Sequence, residues 1–236
     1  CTGCATNSTK PSYGEFLSST AYCYPHYPNC SGGGRCVYTS VTHYLGFIKK
    51  VIDRAKSDHK IRAIYVLGMS NGGNMAQALA FKYPSIFTGV VNIVGMQHKD
   101  LSRIPKQPVK FIIDGGMKDR VIPPIDIEAS DGYFYEPMPN TFNAWSEQFE
   151  CKSINQLTFT FYDNFEKYIA SDCNNNVQII SLLNIDRGHL WPGIEKSVGY
   201  CYSQPQSVLD YSKCNFSIFN EWGNDFLIKL LFDLQN

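Results

Sequence analysis

Six residues, Gly68-Met69-Ser70-Asn71-Gly72-Gly73, narrow the folding options of this chain more than any other stretch. They fit the pattern G-x-S-x-G, whose meaning depends on what flanks it. Upstream, Ile61-Arg62-Ala63-Ile64-Tyr65-Val66-Leu67 reads as a buried strand, β-branched and bounded by polar residues. Downstream, residues 73–82 read as a helix that stops before Pro84. A strand that turns so abruptly into a helix forces strained backbone angles and leaves no room for side chains, which the glycines accommodate. Serine at the apex is lifted clear of the sheet, with its Oγ beside the positive end of the helix. The backbone N–H of Asn71 then points to where a tetrahedral oxyanion would develop. An ordinary Gly-rich turn is the competing reading; the flanking strand and helix favour a nucleophile at Ser70.

The rest of the chain continues the alternation. Apolar positions Val41, Leu45, Ile48, Val51 and Ile52 recur every three or four residues and predict a helix over about 39–55. Strands are expected near 88–94, 109–113 and 177–183, and helices near 141–150 and 218–234. Strands alternating with helices predict an α/β fold, a mostly parallel sheet with helices on both faces. With no internal repeat and no linker, residues 1–236 read as one domain opening with a Cys- and Gly-rich irregular segment, 1–36.

Balanced charge, 21 Lys+Arg against 21 Asp+Glu, removes the main electrostatic basis for nucleic-acid binding. A chain that is 44% apolar and 18% charged is not of disordered composition. No apolar stretch approaches the ~20 residues that span a bilayer. Nine cysteines cluster in the first 36 and last 86 residues. Metal ligation would want paired C-x₂₋₄-C units, and Cys1/Cys4 alone has that spacing. Buried free thiols are the other alternative, but disulfides in an oxidising compartment fit this number better, so secretion is expected. The sequons Asn7-Ser8-Thr9, Asn29-Cys30-Ser31 and Asn215-Phe216-Ser217 agree.

A serine nucleophile needs a base oriented by a carboxylate, and in this type of fold the chain order is Ser, then Asp/Glu, then His. Of the five histidines, His98 and His189 follow Ser70. His98, beside Lys99 and Asp100, reads as a solvated loop residue. His189 sits in Arg187-Gly188-His189-Leu190-Trp191-Pro192-Gly193, a rigid loop just after a predicted strand, and is the expected base. For the acid, Asp119 is placed beyond the carboxyl end of strand 109–113, the rim where open α/β sheets bind ligands. Asp114, at the strand end, competes as a turn-capping carboxylate, and Asp126 is a weaker candidate. A plain solvated loop is the alternative for all three.

Taken together, the Gly68–Gly73 turn, Asp119 followed by Val121 and Pro123, and Gly188-His189-Leu190-Trp191-Pro192-Gly193 resemble the secreted polyhydroxybutyrate depolymerase and feruloyl esterase family of α/β-hydrolases. The resemblance covers about residues 60–235. It implies a serine esterase with Ser70, Asp119 and His189 as catalytic residues and no metal or organic cofactor. It also implies a disulfide between Cys151, which ends the helix carrying Trp145, and Cys173, tying that helix to the histidine loop. Trp191, and Met69 next to the nucleophile, are candidate substrate contacts, with core packing as the alternative for Trp191. The substrates implied are feruloyl or acetyl esters of polysaccharide, or hydroxyalkanoate polyester.

The first sixty residues fit this family poorly. The early strand ending in His-Gly, which commonly supplies the second oxyanion donor, is not found. The opening Cys1-Thr2-Gly3-Cys4 resembles the segment just after that pair in some members, which makes Thr2 the candidate second donor. Two explanations are open: strands preceding Cys1 are absent from this sequence, or Cys1 begins a mature, lipidated protein whose fold has lost those strands. Arg187 also departs from the less charged residue usual there. A contrasting functional reading is a secreted, disulfide-stapled binding module on a hydrolase fold without catalysis.

Overall fold

A computed structural model of the chain describes residues 44–99, 103–130, 134–161, 163–192 and 222–232. Thr2, the three sequons, Gly193 and every cysteine except Cys151 and Cys173 fall outside those residues. The chain divides into two compact units, Cys1–Ile64 and Tyr65–Asn236.

In the first unit the helix α1 spans Tyr44–Asp58, running three residues beyond its expected end at 55. A charge pair one turn apart, Arg54 with Asp58 at 2.6 Å, supports the extension, and Lys49 pairs with Asp53 at 2.5 Å within the expected helix. The expected apolar stripe is only partly buried, since Leu45 is covered while Val51 is 52% exposed.

The second unit holds a six-stranded sheet among the described residues, in the order β1-β2-β3-β6-β5-β4. Its strands are β1 (Tyr65–Met69), β2 (Gly89–Ile93), β3 (Lys110–Gly116), β4 (Ser153–Phe161), β5 (Asp163–Ser171) and β6 (Ile179–Asn184). Its helices are α2 (Asn71–Lys82), α3 (Met138–Gln148) and α4 (Trp222–Phe232). β1, β2, β3 and β6 pair in parallel, and the β4–β5 hairpin extends the sheet antiparallel from β6. This mixed, mostly parallel sheet flanked by helices is the expected α/β class and is consistent with an α/β-hydrolase fold.

Every residue of β2, β3 and β6 is buried, as parallel strands covered on both faces require. Alternation along the strands assigns the two faces. Val91, Ile93, Ile112, Ile180 and Leu182 pack with Phe226, Leu227 and Leu231 of α4. On the opposite face the ring of Phe111 stacks on fully buried Trp145 of α3, centroids 3.9 Å apart. That face also receives α2, through the bond from Asn92 Nδ2 to Gln77 Oε1 at 2.9 Å.

Three expectations are corrected. The strand expected from Ile61 begins at Tyr65, and residues 61–63 are exposed. The hairpin β4–β5 was not anticipated, although Leu157-Thr158-Phe159-Thr160-Phe161 alternates with the period of a strand. The Cys151–Cys173 bridge is present, but it joins the end of α3 to the turn after β5. That turn enters β6, whereas the histidine loop leaves β6 at its other end. Among the described residues no helix is long and apolar enough to cross a membrane.

Candidate active site

Parallel strands deliver their carboxyl ends to one rim, and the residues singled out in the sequence converge there. Ser70 follows β1, Asp119 follows β3, and His189 follows β6. Ser70 is the apex of the β1–α2 turn and has φ 55° and ψ −124°. A side chain with positive φ is strained, and such strain persists only where neighbours over-determine it. Here the Ser70 N–H donates to Ile93 O at 2.8 Å and its carbonyl accepts the Asn74 N–H at 3.1 Å. The glycines around it are not equivalent. A Cβ on Gly68 would stand 2.0 Å from Gly72 O, and one on Gly73 would stand 2.1 Å from Asn92 Oδ1. A Cβ on Gly72 would meet nothing within 4 Å. The third glycine, outside the minimal motif, is therefore the one that sterics demand alongside Gly68.

His189 Nε2 lies 2.8 Å from Ser70 Oγ, and His189 Nδ1 lies 2.8 Å from Asp119 Oδ2. An ionised carboxylate can only accept, so Nδ1 carries the proton and Nε2 is left to accept from the serine hydroxyl. Asp119 is completely buried, yet its other oxygen is satisfied by the Val121 and Ile122 N–H groups at 2.8 and 2.9 Å. The segment Val121-Ile122-Pro123 thus serves to hold the carboxylate. A buried carboxylate accepting three hydrogen bonds is fixed in rotamer.

The loops bearing Asp119 and His189 pack backbone to backbone because β3 and β6 are neighbours. Met117 N–H donates to Asn184 O at 2.8 Å and Lys118 N–H to Arg187 O at 2.8 Å. Gly116 permits this approach, since its Cβ would stand 2.4 Å from Gly188 O. Asp186 adds a clasp, accepting from Asn164 Nδ2 at 2.7 Å and facing Lys118 Nζ at 3.5 Å. Sequence reasoning did not single out Asn184, Asp186 or Asn164. Their signal was the Asn184-Ile185-Asp186 run, a composition typical of turns.

The competing residues lie elsewhere. Asp114 is inside β3, in register with Ile93 and Leu182. Asp126 is exposed and paired with Lys99 at 2.7 Å. His98, read as solvated, is 3% exposed and stacked on Tyr135 with ring centroids 4.8 Å apart. An isolated antiparallel bridge between those two residues draws it inward, and burial lowers its pKa to about 4. Trp191 and Met69 are half-buried and pack against the apolar cluster beneath α4. Asn71 is exposed and is the first residue of α2, where a backbone N–H has no intrahelical acceptor. No metal-binding cluster of His, Cys, Asp or Glu occurs among the described residues.

A serine bonded to an imidazole that is itself bonded to a buried carboxylate can lose its proton to the ring without breaking the relay. A scan against protein-family models finds no match for this sequence, and a search of curated proteins finds none either. A solved structure described as a thermostable esterase is similar over 35% of this chain and 22% of its own, with 20% identity and a TM-score of 0.30. The matched region is thus under a quarter of that esterase's length.

Proposed function

We propose that this chain is a serine carboxylic-ester hydrolase of the α/β-hydrolase superfamily, with Ser70 as nucleophile, His189 as base and Asp119 as its orienting acid. The observation that carries the reading is the Ser70–His189–Asp119 relay, two contacts of 2.8 Å reaching across the rim of the sheet. His189 Nε2 takes the Ser70 proton as Oγ bonds to the ester carbonyl carbon. The Asn71 N–H stabilises the resulting oxyanion. The imidazolium returns its proton to the departing alcohol as the C–O bond breaks. Water, deprotonated by His189, then attacks the acyl-enzyme and releases the acid and Ser70. Each oxyanion donor is typically worth about 2.7–4 kcal/mol in the transition state.

Feruloyl or acetyl esters of polysaccharide, or hydroxyalkanoate oligomers, are the proposed substrates, with Trp191 and Met69 beside the acyl chain. The Cys151–Cys173 bridge agrees with placement in an oxidising, extracellular compartment. The test is turnover of a chromogenic short-chain ester by the wild type and by Ser70→Ala, Asp119→Asn and His189→Ala. Full activity in any of the three removes that residue from the proposal. Methyl ferulate set against a 3-hydroxybutyrate trimer separates the substrate classes. A folded protein whose Ser70 takes no fluorophosphonate label would instead be a binding module on a hydrolase fold.

A further inference from the structure

The polar residue Asn92 interrupts the apolar run Val90-Val91-Asn92-Ile93-Val94. Its side chain is completely buried near the carboxyl end of β2, in register with Gly68 of the neighbouring strand. A buried amide is costly unless bonded, and both Asn92 donors are used. Nδ2 donates to Gln77 Oε1 on α2 at 2.9 Å and to Gly95 O at 2.7 Å. The first bond ties β2 to the second turn of the helix that begins at the serine turn. The second closes a reversal over 92–95 in which Val94 takes φ 44°. For a β-branched residue that conformation is a genuine outlier and needs a constraint to persist.

The two strained residues, Val94 and Ser70, flank this one side chain. Between them runs the bond from Ser70 N–H to Ile93 O at 2.8 Å. The fit is close on every side. A Cβ on Gly95 would stand 2.3 Å from Asn92 Oδ1, 2.6 Å from Ser70 O and 2.8 Å from Gly73 Cα. We propose that Asn92 is the positioning residue of the nucleophile: by bonding Gln77 and Gly95 at once, it clamps the β2 exit against α2 and holds Ser70 in its strained, reactive placement. This rests on the esterase reading for its catalytic consequence, and on packing alone for the clamp.

The two parts are tested together on the full chain. Amide hydrogen exchange of Asn92→Ala is expected to quicken selectively at Ser70 and Asn74, leaving strand amides of β3 and β6 unchanged. With a chromogenic ester, kcat falls on the order of 10²-fold, the effect of a misplaced reacting group, while KM stays within about twofold. A double-mutant pattern supplies a readout that general destabilisation would not mimic. Gly73→Ala is blocked chiefly by the Asn92 side chain, whose Oδ1 and Cγ would stand 2.1 and 3.1 Å from the added Cβ, with Gly68 O at 3.1 Å. Asn92→Ala therefore restores the thermal stability that Gly73→Ala loses. It does not rescue Gly95→Ala, whose clashes with Ser70 O and Gly73 Cα remain. Should Asn92→Ala fail to fold, Gln77→Met removes one of the two bonds at similar volume, and the same selective exchange is expected at Ser70. Exchange that rises uniformly, or equal rescue of both glycine variants, overturns the clamp. Loss of ester turnover and of Ser70 labelling in the wild type, with the exchange and rescue patterns intact, overturns the esterase reading and leaves the clamp standing.

Discussion

Replacing Asp119 by asparagine should reverse the direction of the hydrogen-bond relay without disturbing its shape. The native carboxylate accepts from Val121 and Ile122 N–H on one oxygen and from His189 Nδ1–H on the other. Asparagine can keep the two backbone donors only by placing its Oδ1 on them, which turns its NH₂ toward His189. The opposite orientation would strand two N–H donors in a fully buried site, at about 1–3 kcal/mol each. Switching the imidazole tautomer breaks no bond at all. Nδ1 then accepts from the amide, and Nε2–H donates to Ser70 Oγ where it formerly accepted. A base that already carries the proton cannot take the serine's. The comparable wrong-tautomer variant of serine proteases loses about 10⁴-fold in kcat, or about 5 kcal/mol of barrier. Steady-state kinetics on a chromogenic ester should show that loss in kcat with little change in KM, and thermal melting should show a folded protein. A loss smaller than tenfold, in a variant with native melting, would refute the tautomer argument and the role of Asp119.

Other consequences are as specific. His98 is buried with its pKa lowered from 6.5 to about 4, so between those values the unfolded chain binds a proton that the folded one does not. Stability should therefore fall as pH drops through that window, by up to about 3 kcal/mol. Chemical denaturation of His98→Gln should show a flatter dependence, and an equally steep one would contradict the assignment. Cys151 and Cys173 close a loop with a separation of 22 residues, worth about 3 kcal/mol by chain entropy. The double alanine variant should melt earlier yet keep its kcat below its melting point, because the bridge is at the far end of β6 from His189. Trp145→Ala removes a ring with no exposed surface that stacks on Phe111, and a loss of about 3–5 kcal/mol in denaturant titration is expected. A loss below 1 kcal/mol would mean that this face repacks.

The parts legible in the sequence were those encoded locally. Gly68 and Gly73 announce a turn with no space for a Cβ, and the β-branched runs at Gly89–Ile93 and Lys110–Gly116 announce strands buried on both faces. His98 was misread because two charged neighbours suggested solvent, whereas an antiparallel bridge to Tyr135, distant in sequence, buries it. The β4–β5 hairpin went unrecognised although residues 157–161 alternate as a strand does, and the structure leaves Ile154 and Leu157 of β4 exposed. Trp191 packs against the apolar cluster and is partly exposed.

By itself the sequence determined the α/β class and singled out Ser70, Asp119 and His189 as candidates, because strand and helix periodicity and turn glycines act over a few residues. It ordered Ser70, Asp119 and His189 along the chain but could not bring them within reach of one another. That was decided by strand adjacency: β3 beside β6 presses the acid and histidine loops together, and parallel pairing through β2 sets Ser70 on the same rim. Only the tertiary structure revealed what Asn92 touches, since its bond to Gln77 and its close approach to Gly73 exist only once β2 and α2 are packed.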